Sequence, residues 1–383
     1  MTRTTEPPST GSLPEWLRLA PGRSVLWRSR DCVQLGLADV HAMVLEGLST
    51  PLATLLRSMD GTRSTTQLLA DAVAAGAVLA ELRAVLDELV SAGLATGVAD
   101  PTAPTDTERA VDAQAWSLHS ARRCPELMEL RRNATVVIDG STRLALAVAT
   151  SLAAAGVGRV VVDPAGTVQP ADVGIGYRLA DVGLPRAQVA RDALRRAVPA
   201  VRTTPPVRSC PDLVVLADAL VPDPGLLLDL LARRVPHLAV HAHEGVAVVG
   251  PLVLPGRSSC LRCVQLRRAD LDPAWPKLAA QLVSAVPIAD VGCTQVAAAL
   301  ATEQVLAMLA GPSGGVGHPP TWGASLELDP LRGQLSRRRW PAHPRCGCGA
   351  PADDAIGSAN DAPDRARSPC DAEPEPTRER IGS

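Results

Sequence analysis

The chain contains no phenylalanine, one tyrosine (Tyr177) and one lysine (Lys277). Without phenylalanine, Leu, Val and Ala must fill the core. With a single lysine among 38 basic residues, no G-x-x-x-x-G-K-[ST] phosphate loop exists. A strong charge of either sign is also missing. The 38 basic residues face 40 acidic ones, a balance that argues against a dedicated nucleic-acid binder. No apolar run of about 18 residues occurs, so no membrane span is expected. The opening MTRTTEPPSTGSLPEW lacks the apolar core of a signal peptide, and the expected compartment is the cytoplasm. Nine cysteines are an odd number for a disulfide framework. In a chain without a secretion signal, paired cysteines favour metal binding.

The 383 residues suffice for about two or three domains with their own cores. Residues 1–14 are polar and rich in Thr, Ser and Pro, and are expected to be disordered. Residues 15–98 read as a small α/β module. Strands are predicted around Leu17–Leu19, Ser24–Arg28 and Cys32–Leu35, followed by helices. Ser64 to Gln67 (STTQ) is a capping-box signal. Leu82, Val85, Leu86, Leu89 and Val90 form an apolar stripe at helical spacing. Residues 99–112 are a Pro/Thr/Asp linker.

From 113 to 349 strands and helices alternate. TVVID ending at Asp139, RVVVD ending at Asp163, Asp212–Asp218 and His237–His243 are the apolar strand runs. That alternation predicts a parallel sheet with helices on its faces. Residues 350–383 hold eight acidic residues against four arginines and show no apolar pattern, which predicts a disordered tail.

A nucleotide site on such a sheet needs glycines after the first strand, so that backbone can approach phosphates at a helix N-terminus. Here the turn reads DGSTRLALA. Gly140 holds the first position of a G-x-G-x-x-G frame, but Thr142 and Ala145 hold the next two. Asp163 ends the second strand, where an acidic residue can contact ribose or simply close a strand.

Cys260 and Cys263 form a C-x-x-C, and Cys346 and Cys348 a C-x-C flanked by glycines. Together the two pairs can make a tetrahedral, closed and hence structural zinc site. A redox pair or free thiols are the alternatives at this spacing. Cys293 lies in an apolar helix and reads as a small buried residue rather than a thioester nucleophile. His237, His241 and His243 alternate along one strand and would share a face. They read as strand or surface histidines rather than metal ligands. Trp275 and Trp340 flank the cysteine motifs and read as packing residues.

The segments AAAGVGRVVVDPAGTV (Ala153–Val168) and GLPRAQVA from Gly183 resemble the ThiF-type, ubiquitin-activating-enzyme-like adenylating superfamily. The resemblance implies a four-cysteine zinc. It also implies that Asp218 stands at the family's metal-facing aspartate. Active members carry a lysine where this chain has Arg186, and a second aspartate where it has Ala165. ATP use is therefore not expected, because arginine does not replace lysine neutrally at a phosphate.

Val249–Leu282, with its DPAWP segment, and Arg337–Gly349 narrow the likeness. They resemble the leader-peptide-binding, cyclodehydratase C-component-like proteins of thiazole/oxazole-modified microcin pathways. That resemblance implies a winged-helix-like peptide-recognition module followed by a ThiF-like Rossmann-type α/β domain with a zinc knuckle. It further implies a precursor leader peptide and a YcaO-type enzyme as partners, and it leaves a homodimer open. By this pattern Cys32, Val33, Gln34 and Leu35 form a sheet edge that accepts the peptide, beside Leu82, Leu86 and Leu89. Those leucines are equally a helix's core stripe.

Three functions are thus in play. The first is a non-catalytic leader-binding scaffold with structural zinc, in which Gly140, Asp163 and Asp218 mark a residual nucleotide site. The second is an active adenylyltransferase acting on a peptide or sulfur-carrier C-terminus. The third is a regulatory winged helix. DNA binding by the module is disfavoured, since residues 21–97 carry six arginines against eight carboxylates.

Overall fold

Strands in the first part of the chain are short and separated by turn residues, and they build two small sheets instead of one. The computed structural model describes residues 13–351 except 20–23, 38–41, 92–93, 98–111, 114, 118, 120–123, 207–209, 284, 286 and 312–317. The linker expected at 99–112 and the tail expected at 350–383 therefore lie almost wholly outside the described residues. The chain divides into two units, Met1–Pro125 and Glu126–Ser383.

In the first unit, β1 (Trp16–Leu19) lies between β5 (Asp60–Ser64) and β6 (Ala95–Gly97). β2 (Val25–Trp27), β3 (Val33–Leu35) and β4 (Met43–Leu45) form a second antiparallel sheet in that order. Three helices follow: α1 (Thr50–Arg57), α2 (Thr65–Ala74) and α3 (Leu79–Ser91). The capping box at the start of α2 forms as its sequence predicts. Gln67 N donates to Ser64 Oγ at 3.2 Å, and Ser64 N donates to Gln67 Oε1 at 3.0 Å. Leu82, Leu86 and Leu89 point inward from α3 and pack in one core with Leu17, Leu35, Leu56 and Leu68. They are 2, 0 and 2 % exposed, which is the packing alternative of the two readings of that stripe. The strand at Cys32–Leu35, expected at a sheet edge, is instead the middle one. β3 is hydrogen-bonded to β2 on one side and to β4 on the other, so among the described residues β2 and β4 are the edge strands.

α4 (Cys124–Asn133) begins just before the division and runs into the second unit, where β7 (Thr135–Asp139), α5 (Arg143–Ala154), β8 (Arg159–Val162), α6 (Arg186–Ala197), β9 (Leu213–Ala217) and α7 (Pro224–Ala232) follow. β10 (His237–His243), β11 (Val246–Val253), α8 (Leu261–Leu271), α9 (Trp275–Leu282), α10 (Val291–Ala310), β12 (Ala324–Asp329) and β13 (Gln334–Arg339) complete it. Seven strands make one sheet in the order β13-β12-β11-β10-β9-β7-β8. The four strands from β8 to β10 are parallel, and the remaining pairs are antiparallel. β9 is buried along its whole length, as a central parallel strand covered on both faces must be. α10 is long and apolar enough to cross a membrane by length and composition. Its buried residues, among them Cys293, Ala297, Ala301 and Val305, instead pack against α5, β10 and β11.

β7, the first strand of this sheet, has β8 on one side and β9 on the other. The chain winds away from it in both directions. Such a reversal opens a crevice beyond the carboxyl ends of the strands, where nucleotides bind in doubly wound sheets.

Candidate functional site

Two places in the larger unit concentrate chemistry: the crevice at the ends of β7 and β9, and the four-cysteine cluster beside α8.

At the crevice, Gly140 follows β7 and Asp218 follows β9. Asp218 takes a left-handed conformation, φ 72°, which turns its side chain back toward the β7–α5 loop. Its Oδ2 accepts from Ser141 N at 3.0 Å and from Thr142 N at 2.8 Å. Its Oδ1 accepts from Thr142 Oγ1 at 2.5 Å. The backbone donors that would cradle a phosphate at the start of α5 therefore already hold a carboxylate of the chain itself. Thr142 Oγ1 also caps α5 by accepting from Leu144 N at 3.2 Å. Gly140 is required by this packing. A Cβ there would lie 2.9 Å from Ala217 Cβ, Ala217 O and Asp218 Oδ2. Burial pushes the Asp218 pKa up, and the hydrogen bonds from Thr142 and Ser141 oppose that rise. Burial, then Asp223, raises Asp139 at the end of β7 as well.

The cleft over this loop is lined by Thr142, Arg143, Asp172, Asp218, Ile288 and Thr294. The arginine that lines it, and the one paired with its Asp172, are both committed to the protein. Arg143 donates to the Ala289 carbonyl. Arg186, standing where active members of the superfamily carry lysine, pairs with Asp172 through Nε at 3.0 Å and Nη2 at 2.7 Å. Asp163 lies off the cleft lining, exposed, with Arg191 Nη1 at 3.4 Å. Sequence reasoning singled out Gly140, Asp218 and Arg186 but missed Asp172 and Arg143. Arg143 stands inside the DGSTRLALA turn at a position the glycine frame leaves open, whereas Asp172 stands in no motif and is brought to the cleft by the fold.

The cysteine site is built by the start of α8 and the loop after β13. Cys260 is the N-cap residue of α8, and Cys263 lies in its first turn. Cys346 and Cys348 come from the loop, where Gly349 takes the positive φ of 74° that the tight turn requires. The four sulfurs lie within 4.8 Å of one another. Cys260–Cys263 is 3.9 Å, while Cys260–Cys346 and Cys263–Cys348 are both 3.6 Å. Four thiolates about 2.3 Å from a zinc ion in a tetrahedron stand about 3.8 Å apart, so the donor set and its spacing fit zinc. The hydrogen bond from Cys260 Sγ lowers the Cys263 thiol and raises that of Cys260. Burial raises Cys346 to about 11.

A polar staple holds the loop on α8. Asp270 accepts from His343 Nε2 at 2.7 Å and from Arg345 Nη2 at 2.6 Å. Arg345 N donates to His343 Nδ1 at 3.1 Å, which fixes the histidine proton on Nε2. The hydrogen bond from His343 lowers the Asp270 pKa. Arg267 Nη2 adds a bond to the Ala342 carbonyl at 2.9 Å. His343 and Arg345 sit inside the HPRCGCG motif, and that nearness to the cysteines was the available signal for them.

The strand histidines join no metal cluster among the described residues. His237 is buried, with Nδ1 3.0 Å from the Val235 carbonyl, and burial lowers its pKa. Cys293 is buried in α10, and burial raises its thiol pKa.

By sequence, residues 118–350 match the ThiF family. No curated protein matches in sequence. Among solved structures, E. coli MccB with ATP superposes at a TM-score of 0.63 and 15% identity, covering 88% of this chain and 100% of that one. The microcin C7 biosynthetic enzyme MccB in complex with N-formylated MccA gives a TM-score of 0.63 at 14% identity, covering 87% of this chain and 99% of that one. PaaA gives 0.60 at 15%, with 83% and 98% covered. At these identities the likeness concerns the fold.

Proposed function

Because the chain belongs to the ThiF family, we propose that it is a leader-peptide-binding scaffold that presents a ribosomally made precursor to a separate YcaO-type enzyme and does not adenylate it. The observation that carries this reading is the Asp218 carboxylate on the Ser141 and Thr142 amides. An ATP phosphate would have to displace a buried anion from those donors, next to a second carboxylate at Asp172 and with no lysine in reach. Zinc held by Cys260, Cys263, Cys346 and Cys348 is structural in this account. Four protein thiolates leave no open coordination position for catalysis.

The first unit supplies the peptide site as a winged-helix-like module. Among the described residues β4 is an edge strand, with Met43 and Val44 each 39 % exposed, beside a core closed by Leu82, Leu86 and Leu89. An extended peptide adds to such an edge through backbone hydrogen bonds, with side-chain contacts giving selectivity. Cys32, Val33, Gln34 and Leu35 then support the site from the neighbouring strand. The test is fluorescence anisotropy of a labelled precursor peptide encoded beside this gene. Binding is expected to weaken about tenfold in Met43→Glu/Val44→Glu, since charge is placed on the edge's apolar side chains. Unchanged affinity removes the β4 assignment, and no binding by any neighbouring precursor removes the scaffold reading.

One observation favours a second reading, an ATP-dependent peptide-modifying enzyme. MccB, solved with ATP and with N-formylated MccA, shares the fold over nearly its whole length. ATP–pyrophosphate exchange dependent on a precursor peptide would decide for that reading.

A further inference from the structure

Away from the β7–α5 loop, a second, narrower cleft opens between α8 and the sheet. His241, Gln265, Arg268, Ser325 and Trp340 line it, together with Leu220 from the segment after Asp218. Arg268 is its focus. The guanidinium lies 4.8 Å from the Trp275 ring centroid and 5.5 Å from that of Trp340, within cation–π reach of both indoles. Among the described residues no carboxylate pairs with it. Glu327, whose charge reaches Arg268, is hydrogen-bonded to Arg338, which donates to it through Nε at 2.7 Å and Nη2 at 3.2 Å. Trp340 thus has two guanidiniums within cation–π reach, with Arg338 5.7 Å from its centroid, and of the two only Arg338 is hydrogen-bonded to Glu327.

The neighbours are neutral. His241 is lowered to about 4 by burial, then by Arg268 and His243, and its Nδ1 is buried without a partner. The Gln265 Oε1 accepts from Trp275 Nε1 at 2.7 Å, which turns the amide so that its NH2 is left to donate. Ser325 Oγ is engaged by Trp340 Nε1 at 2.9 Å. Burial lowers the Arg268 pKa, Glu327 opposes that fall, and the Arg338 charge adds to it.

We propose that this cleft is a carboxylate-binding site, with the Arg268 fork as its anchor and His241 and Gln265 as neutral donors. A planar carboxylate matches the planar guanidinium fork and accepts two parallel hydrogen bonds from it. The cleft is too tight for a nucleotide. It takes one carboxylate group, belonging either to a small free acid or to a peptide. The inference does not rest on leader binding by the first unit.

The test uses the full zinc-loaded chain and tryptophan fluorescence, since Trp275 and Trp340 border the site. Sodium acetate is titrated against sodium chloride at constant ionic strength. An N-acetylated tripeptide with a free C-terminal carboxylate is compared with its C-terminal amide. A saturable change with acetate but not chloride is expected, weakened about tenfold or more in Arg268→Gln. His241→Phe preserves ring volume and removes the imidazole donor; with circular dichroism and zinc content unchanged, it is expected to weaken binding several-fold. A free-acid peptide binding more tightly than acetate, with the amide inactive, assigns a peptide carboxylate; equal or weaker binding assigns a small free acid. No saturation in the wild type, an equal response to chloride, or undiminished binding in a folded Arg268→Gln or His241→Phe protein overturns the proposal.

Discussion

Thr142 does three jobs with one side chain and one amide. It caps α5, donates its hydroxyl to Asp218 and donates its N–H to the same carboxylate. Thr142→Ala removes the cap and the hydroxyl bond to a buried acid, and is expected to cost about 1–3 kcal/mol in chemical denaturation. A loss near zero would show that the loop and Asp218 do not hold one another. His241 makes a prediction of opposite chemical character. Its folded pKa is about 4 against an ordinary 6.5, so the unfolded chain binds the proton that the folded chain refuses. Stability should therefore fall as pH drops from 6.5 to 4, by on the order of 3 kcal/mol from this residue alone. His241→Phe should flatten that part of the profile relative to the wild type, with both proteins zinc-loaded. Parallel profiles would mean that His241 is charged in the fold.

At the scale of elements, local pattern was a good guide and neighbourhood was not. The Ser64–Gln67 capping box, the β7–α5 turn and the two cysteine pairs were legible because each depends on residues close in sequence. Strand order was not. Val33–Leu35 reads the same whether it lies at an edge or in the middle, and three-residue β4, which closes its second side, has too few residues to show alternation. The staple of α8 to the zinc loop was hidden for the same reason, since Asp270 and His343 are 73 residues apart. This element carries its own prediction. Cys263→Ser should drop zinc from about one per chain to near none, and should destabilise the packing of α8 and the 341–349 loop, because structural zinc contributes folding energy directly. Zinc content by atomic emission with thermal melts checks it; a full zinc complement in Cys263→Ser would refute the four-thiolate site.

Over the whole molecule, sequence and structure meet at the crevice where β7 and β9 end. The motif departures at Thr142, Ala145, Ala165 and Arg186 each read as a loss. In the fold, two of the four have partners of their own. Thr142 binds Asp218, 76 residues away, and Arg186 binds Asp172. The Thr142–Asp218 contact exists only once β9 lies beside β7, and the Arg186–Asp172 pair, 14 residues apart, forms once the segment between β8 and α6 folds back on itself. The result is a nucleotide-binding architecture whose phosphate donors hold an internal carboxylate. Magnesium-dependent ATP–pyrophosphate exchange, measured on the full chain with and without its precursor peptide, tests this most directly. The account predicts exchange indistinguishable from a no-protein control. Peptide-dependent exchange that disappears in Asp218→Ala would contradict it.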